Sequence, residues 1–294
     1  MYTDQNGARW YKGNLHTHTT ESDGWKSPGE AIALYKSRGY DFIAITDHWK
    51  LSESYIHENG LLVLSGCEYD FGRNVREGIF HIVAVGYERD PGLDRSMTPQ
   101  EAIDKIHASG GTASLAHPAW SMNNLAQLMP LDGIDYSEIF NTTSDLPRNC
   151  RPDSGWILDA MAVQGKFWRL AATDDTHTYI DDPVKSFVYL KAEDCTRDAV
   201  MTALKNGDFY ASQGPRMEVI REENRITVRC PAEDRVSCII AVTDTPWEPH
   251  RTEFGESITE AVFEFSAGAE WMRIEAIDAD GLRAWSGYIV KNKE

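Results

Sequence analysis

The chain has 294 residues, a formal net charge of −17 and 41% hydrophobic residues. This length exceeds a typical single domain and predicts one large domain with a smaller one. The negative charge argues against a general nucleic-acid-binding protein, because such proteins need a basic surface. No apolar run reaches the ~18 residues of a transmembrane helix, and the N-terminus shows no basic segment before an apolar one. We therefore expect a cytoplasmic protein with no membrane partner, whereas its oligomeric state stays open.

The first predicted element is a polar strand end between Gly13 and Gly24. His16 and His18 are two residues apart, so on an extended strand their side chains lie on the same face. Asp23 follows in the loop that Gly24 closes. Two imidazoles and a carboxylate suit a borderline divalent cation such as zinc, manganese or iron. On this segment alone, two solvated histidines at a strand end are an equally good interpretation.

A well-delimited helix and a buried strand come next. Residues 27–38 are predicted to be helical, because Ser27 and Glu30 are spaced for a capping box. The continuous apolar run 42–45 then predicts a strand that is buried on both faces. This strand ends in the polar triplet 46–48, and active sites of α/β barrels lie at the carboxyl ends of the strands.

The same alternation of strand and helix continues to about residue 206. Further strands are predicted at 61–64, 112–116, 134–140, 169–173 and 184–190. Helices are predicted after Thr98, near 156–164 and after Thr196. The alternation is typical of βαβ units and predicts a parallel barrel.

One segment departs from this alternation, because His81 opens its strand where the other ligand-type residues close theirs. We therefore predict that residues 69–90 form a hairpin that folds back over the barrel mouth. Such a hairpin still brings His81 close to Glu68.

The pattern changes after Gly214-Pro215, where short alternating runs follow one another without a long helix. Short strands of this kind predict a small antiparallel β-sandwich. The predicted domains are therefore a barrel at 1–214 and an accessory sandwich-like domain at 215–294.

Ligand-type residues collect at the predicted strand ends. The set comprises His16, His18, Asp23, His48, Glu68, His81, His117, Asp175 and His177. The other three histidines of the chain lie outside the pattern and are predicted to be surface residues. The segments that carry the set are His16-Thr-His18…Asp23-Gly24, Thr46-Asp47-His48, Gly66-Cys-Glu68, His81, Ala116-His117-Pro118 and Asp175-Thr-His177.

These segments resemble the PHP (polymerase and histidinol phosphatase) superfamily, in particular the stand-alone bacterial phosphoesterases. The resemblance covers roughly residues 10–214 and implies the PHP fold, a distorted (β/α)7 TIM-like barrel. It also implies two or three divalent metal ions, zinc, manganese or iron. The run Phe209–Pro215 resembles the junction in PHP proteins with a terminal β-domain, including those grouped with carbaryl-type ester hydrolases.

The resemblance implies how the ligands are divided. One ion is held by His16, His18, Glu68 and Asp175, a second by Glu68, His81 and His117, and a third by Asp23, His48 and His177. Glu68 bridges the first two. A hydroxide that bridges the Glu68-linked metals is expected to attack the substrate. The third metal is expected to bind the phosphate or the leaving oxygen. The expected catalytic residues are therefore Glu68, Asp23, His48, His117 and His177.

Residues around these positions are candidates for orienting the ligands or contacting the substrate. Asp47 and Asp174 adjoin ligands and are interpreted as groups that orient them. Arginine forks match phosphate oxygens, so the candidates for gripping a substrate phosphate are Arg73, Arg76, Arg148, Arg151 and Lys185. Trp25, Trp49 and Trp120 follow ligands, and one of them is a candidate for stacking on a base or an aromatic leaving group.

The sequence thus predicts a metal-dependent phosphoesterase for a small phosphorylated metabolite, a nucleotide or a similar ester. The alternative is a carboxylic or carbamic ester hydrolase that uses the same site with fewer cationic contacts. A non-catalytic metal-binding module is the third possibility. The native metal, the substrate and the role of the second domain stay open.

Overall fold

A computed structural model of the chain describes residues 1–180, 184–247 and 249–291. It divides the chain into two compact units, Met1–Phe209 and Tyr210–Glu294, whereas the sequence places this boundary after Gly214. The described residues form a mixed α/β structure with several sheets and few helices. None of the described helices is long and apolar enough to cross a membrane.

The first unit contains two sheets and five helices among its described residues. Its strands are β1 (Tyr2–Thr3), β2 (Arg9–Asn14), β3 (Phe42–Ala44), β4 (Tyr55–Ile56), β5 (Leu62–Leu64), β6 (Gly66–Phe71), β7 (Phe80–Val85), β8 (Thr112–Leu115), β9 (Tyr136–Asn141), β10 (Arg169–Thr173) and β11 (Phe187–Lys191). Its helices are α1 (Pro28–Ser37), α2 (Pro99–Ala108), α3 (Leu125–Leu128), α4 (Gly155–Val163) and α5 (Arg197–Asn206).

This unit mixes parallel and antiparallel pairs, whereas the sequence predicts a parallel barrel; β7 in particular is antiparallel to both of its neighbours, β6 and β8. β3 pairs in parallel with β2 and β5, and β9 pairs in parallel with β8 and β10. β6 and β7 form an antiparallel hairpin over residues 66–85, whereas the sequence predicts a hairpin over 69–90. β11 also pairs antiparallel with β2. The central strands β3 and β5 are buried along their whole length, in agreement with their continuous apolar sequences.

Helix starts follow the capping signals of the sequence. Ser27 and Glu30 form both hydrogen bonds of a capping box at α1, and Thr98 and Glu101 do the same at α2. α5 ends at Gly207, whose φ of +83° lies in the left-handed region that glycine tolerates best.

The second unit is built from antiparallel strands. Its elements are β12 (Phe209–Ser212), β13 (Glu218–Glu222), β14 (Arg225–Arg229), a 3₁₀ turn (Ala232–Asp234), β15 (Val236–Thr243), β16 (Thr252–Phe254), β17 (Glu260–Glu264), β18 (Trp271–Asp278), β19 (Arg283–Trp285) and β20 (Ile289–Val290). One sheet contains β13, β14 and β17, and β15 pairs with β16 and β18 in another. The last two strands, β19 and β20, pair with different parts of β18.

A buried ion cluster on β18 predicts a large effect on stability. The two carboxylate oxygens of Glu275 contact Arg273 and Arg283, and both Glu275 and Arg273 are buried. Glu275→Ala leaves the buried Arg273 without its partner, so we expect the free energy of unfolding to fall by about 3–5 kcal/mol. Urea denaturation measures this change.

The matched control is Glu260→Ala on β17, which removes an exposed contact to Arg229 of 2.9 Å. Exposed pairs of this kind contribute about 0–1 kcal/mol. An equal loss of stability in the two variants would contradict the prediction.

Candidate metal centre

The first ligand segment lies just beyond the end of β2, because that strand ends at Asn14. The Asn14 side-chain amide donates to the carbonyl oxygen of His16 at 2.8 Å. The His18 amide donates to the Thr176 carbonyl at 3.1 Å, and the Asp175 amide donates to the His16 carbonyl at 2.9 Å. These backbone hydrogen bonds hold the segments 16–18 and 175–177 side by side.

The first group of candidate ligands is fully buried and comprises His16, His18, Glu68 and Asp175. The Nε2 atoms of His16 and His18 are 3.1 Å apart. Glu68 Oε2 lies 3.1 Å from His16 Nε2 and 3.0 Å from His18 Nε2. Asp175 Oδ1 lies 3.2 and 3.0 Å from the same two nitrogens. Four donor atoms therefore face one another within a single metal-sized cluster.

The second group shares Glu68 with the first and adds His81 and His117. Glu68 Oε1 lies 2.7 Å from His81 Nδ1 and 3.6 Å from His117 Nε2. His81 reaches Glu68 because the β6–β7 hairpin places it opposite Asp70, two residues further along β6. One carboxylate thus presents a different oxygen to each group.

The third group is the most open and contains Asp23, His48 and His177, with His18 beside them. Asp23 Oδ2 lies 3.9 Å from His48 Nε2 and 3.5 Å from His177 Nε2. The Asp23 side chain is 55% exposed. All nine residues singled out from the sequence therefore lie in these three overlapping groups.

Negative charge controls protonation in the first group. Burial disfavours the charged form of His16, but the nearby charges of Asp175 and Glu68 raise the pKa of His16 well above its usual value. Burial opposes the charged form of His18 as well, and its close approach to the same two carboxylates raises its pKa to about 9. The first group therefore attracts positive charge.

In the other two groups, the pKa values of Glu68, His48 and His177 are all lowered. Burial would raise the pKa of Glu68, yet the neighbouring His16 and His81 hold it well below its usual range. Burial lowers the pKa of both His48 and His177. Neutral imidazoles and an ionised carboxylate are the forms that bind a metal.

Unpartnered atoms test whether these residues fit a metal. Among the described residues, four buried atoms of the centre form no well-aligned hydrogen bond, although histidine nitrogens lie 3.0–3.2 Å from the two carboxylate oxygens. These atoms are His18 Nδ1, His48 Nδ1, Glu68 Oε2 and Asp175 Oδ1. Buried polar atoms are almost always hydrogen-bonded, so four exceptions in one cluster require an explanation. Imidazole and carboxylate donors without thiolates suit zinc, manganese or iron. The cluster therefore fits divalent metal ions.

A buried carboxylate that the motifs did not identify supports two of the groups. Glu138 is 1% exposed, and its Oε1 lies 2.7 Å from His16 Nδ1. Its Oε2 accepts hydrogen bonds from the His117 amide at 2.8 Å and from Asn141 Nδ2 at 2.7 Å. A proton on His16 Nδ1 leaves the Nε2 lone pair directed at the first group. The only sequence signal for Glu138 is a carboxylate near the end of a predicted strand.

We expect Glu138→Gln to weaken metal binding by about 10–100-fold, the usual effect of losing a carboxylate behind a ligand. In either orientation, the amide places an N–H donor against one of the two groups that donate to Glu138, either His16 or the His117 amide. Competition titration against a chromogenic chelator measures the affinity. Glu58→Gln, at an exposed position, is the matched control, and unchanged affinity in Glu138→Gln would contradict the prediction.

Asp47 and Asp174, the two residues predicted to orient the ligands, accept hydrogen bonds from different parts of the chain. Asp47 accepts hydrogen bonds from the Thr19 amide at 2.7 Å and from Ser22 Oγ at 2.6 Å, and so holds the loop that carries Asp23. Asp174 is buried, which raises its pKa to about 6 against the hydrogen bonds that it accepts. Among these are bonds from the backbone amides of residues 185 and 186.

A cavity of about 210 Å³ opens onto all three groups. Of the five candidate phosphate-binding cations, Arg148 is the one among the described residues that line it. Arg73 and Arg76 are exposed in the β6–β7 loop, and Arg151 is exposed before α4. Lys185 lies 3.2 Å from Asp145. The structure therefore does not bring these four to the cavity wall.

The three tryptophans that are candidates for stacking on the substrate have different surroundings. Trp120 lines the cavity. Trp25 is largely exposed outside the described lining, and the indole of Trp49 donates to Asp70. His57, His107 and His250 are likewise absent from the described lining, and His107 lies 2.8 Å from Asp135.

No family model matches the chain. An uncharacterized protein of Methanocaldococcus jannaschii is 26% identical over 145 residues, which are 44% of this chain and 81% of that protein. An amidohydrolase from Chromobacterium violaceum with bound sulfate and no metal is 16% identical, with 58% of this chain and 89% of that chain covered at a TM-score of 0.42.

A more extensive structural match covers 98% of both chains with a TM-score of 0.57 and 15% identity. It is a two-domain protein from Bacteroides vulgatus that contains a predicted PHP-like metal-dependent phosphoesterase. The match extends over both units, and the resemblance seen in the motifs is confirmed for the fold. The chain therefore has the fold of PHP-like proteins.

Proposed function

We propose that the chain is a metal-dependent hydrolase that cleaves a small phosphate ester. The observation that carries the proposal is Glu68, whose two oxygens face imidazoles of two different groups at 2.7–3.1 Å. A carboxylate shared in this way is suited to holding two metal ions close together. The third, more open group is suited to a further ion in contact with the substrate.

The proposed ligands are those of the three groups, with Glu68 shared between the first two. Bound divalent ions would supply Lewis acidity and an activated water for attack on phosphorus. The chain's own residues have separate tasks. The His16 and His18 segment and the Asp175 segment, joined through backbone hydrogen bonds, fix the buried ligands, and the exposed Asp23 lies at the solvent side.

We also propose that the first unit closes into the distorted barrel that the resemblance implies. Two isolated parallel bridges, Thr17 with Thr176 and His48 with Glu68, lie between the sheets. They support a ring that runs from β2 through β3, β5, β6, β7, β8, β9 and β10 back to β2. The antiparallel pairing in the second unit supports the proposed sandwich in the same way.

The test is product release by protein stripped of metal and reloaded with manganese, zinc or iron. Nucleotides, sugar phosphates and simple carboxylic esters form the substrate panel. We expect phosphate release that requires metal and is lost in His117→Ala. His250→Ala changes a histidine outside all three groups and is expected to keep full activity. Metal binding without hydrolysis of any ester would instead support a non-catalytic role.

A second candidate is hydrolysis of a carboxylic or carbamic ester. It is favoured by the cavity wall, where Arg148 is the one arginine or lysine among the described lining residues. An ester without a phosphate needs fewer cationic contacts. Metal-dependent cleavage of carboxylic esters alone would select this candidate over the phosphoesterase.

A further inference from the structure

One wall of the cavity is made of residues that belong to none of the three ligand groups. They are Trp120, Thr143, Ser144, Arg148 and Asn149. Trp120 follows the ligand His117, and the other four lie in the loop after β9. We call this set the non-ligand wall. It combines one large aromatic ring, one cation and three small polar side chains.

A chain of hydrogen bonds anchors the non-ligand wall to the metal centre. Thr143 Oγ1 donates to the carbonyl oxygen of Asp175 at 2.6 Å. Asn149 Nδ2 donates to the Thr143 carbonyl at 2.9 Å, and Trp120 Nε1 donates to Asn149 Oδ1 at 3.2 Å. The indole is therefore held in place through two intervening residues from the backbone of a candidate ligand.

Trp120 is also fixed by its ring contacts. Its centroid lies 4.9 Å from that of His117 and 5.8 Å from that of His81, with nearly perpendicular planes in both pairs. Despite these contacts, Trp120 is 40% exposed. Because its N–H group already has an acceptor, the exposed part offers mainly ring carbon. Covering apolar aromatic surface is favourable, and planar rings pack on one another in defined geometries.

We infer that the substrate carries a planar aromatic or heteroaromatic group, which packs on the exposed surface of Trp120, beside an anionic part near Arg148. This inference rests on the proposed hydrolytic function of the same cavity. The positions of the residues support it: the ring of Trp120 borders His81 and His117, so a group packed on it lies next to the second ligand group. Thr143, Ser144 and Asn149, which complete the non-ligand wall, carry small side chains.

The test measures binding, so that differences between leaving groups do not affect the result. Calorimetric titration of the metal-loaded protein compares benzylphosphonate with butylphosphonate, and phenylacetate with butyrate. An aromatic contact of the usual strength predicts binding of the aromatic member that is about two- to tenfold tighter. Trp120→Leu is expected to remove the preference, and Trp120→Phe is expected to retain most of it. Trp156→Leu, at an exposed tryptophan outside the described lining, is the matched control.

The two series separate this inference from the proposed function. A ring preference in the phosphonates supports both, whereas a preference in the carboxylates alone supports the inference and argues against a phosphate ester. Equal binding within both series would overturn the inference even if phosphate esters are hydrolysed. A preference that persists in Trp120→Leu, or no binding of any of the four ligands, would also overturn it.

Discussion

Glu68→Gln is expected to abolish activity, with kcat/KM falling by about 10³-fold or more, equivalent to about 4 kcal/mol of transition-state stabilisation. The substitution keeps the shape of the side chain but replaces one carboxylate oxygen with an amide group. Glu68 Oε2 contacts His16 and His18, and Oε1 contacts His81. Whichever way the amide points, one group of imidazoles meets a hydrogen-bond donor in place of an anionic ligand.

Two measurements distinguish this effect from a general loss of structure. Elemental analysis after metal loading should show that Glu68→Gln retains fewer ions per chain, while its far-ultraviolet circular dichroism is unchanged. Glu77→Gln, at an exposed position of the β6–β7 loop, should retain both metal and activity. Full metal content and full activity in Glu68→Gln would refute the role assigned to this carboxylate.

Local sequence patterns carry most of the information about the ligands. His16 and His18 are recognisable because their spacing is short and their position at a strand end is chemically unusual. The hairpin that brings His81 to Glu68 is also predictable, because a histidine at the start of a strand can meet a residue at the end of its neighbour only if the two strands are antiparallel. Each of these inferences needs no knowledge of distant contacts.

Glu138 illustrates what the sequence does not reveal. Its contact with His16 joins residues 122 positions apart, and no spacing rule relates the two. The start of β11 is a second case, because the predicted strand begins at 184 but the observed one begins at Phe187. The amides of Lys185 and Ser186 donate to Asp174 and not to a neighbouring strand. A buried carboxylate from another part of the chain thus competes with sheet formation.

The phosphate-binding candidates show the same limit. Arginine and lysine are easy to find in a sequence, but whether they reach a cavity depends on loop conformation. Arg148 lines the cavity because Thr143 and Asn149 anchor its loop to the backbone of Asp175 and to one another. Arg73 lies in the exposed loop between β6 and β7. Composition alone does not separate these two arginines.

Removing metal from the loaded protein is expected to lower the melting temperature by about 8–16 °C. An ion present at a thousandfold excess over its dissociation constant stabilises the folded state by about 4 kcal/mol. Each kcal/mol shifts the midpoint by about 2–4 °C for a unit of 150–250 residues, and the unit that contains all three ligand groups spans Met1–Phe209. The physical reason is that Glu68 and Asp175 are buried together, and without cations their charges are compensated by protons on neighbouring histidines such as His16, His18 and His81.

Differential scanning calorimetry before and after chelation, followed by reloading, measures this shift and its reversibility. Glu68→Gln is the informative comparison, because a protein that has lost a shared ligand should respond less to the chelator. Glu275→Ala provides the opposite control. It lowers the midpoint through the ion cluster on β18 but should leave the three ligand groups intact. We therefore expect the chelator to lower the midpoint of this variant by the full amount. A midpoint that the chelator does not change in the loaded protein would show that the buried carboxylates are compensated without metal, and the proposed metal centre would be wrong.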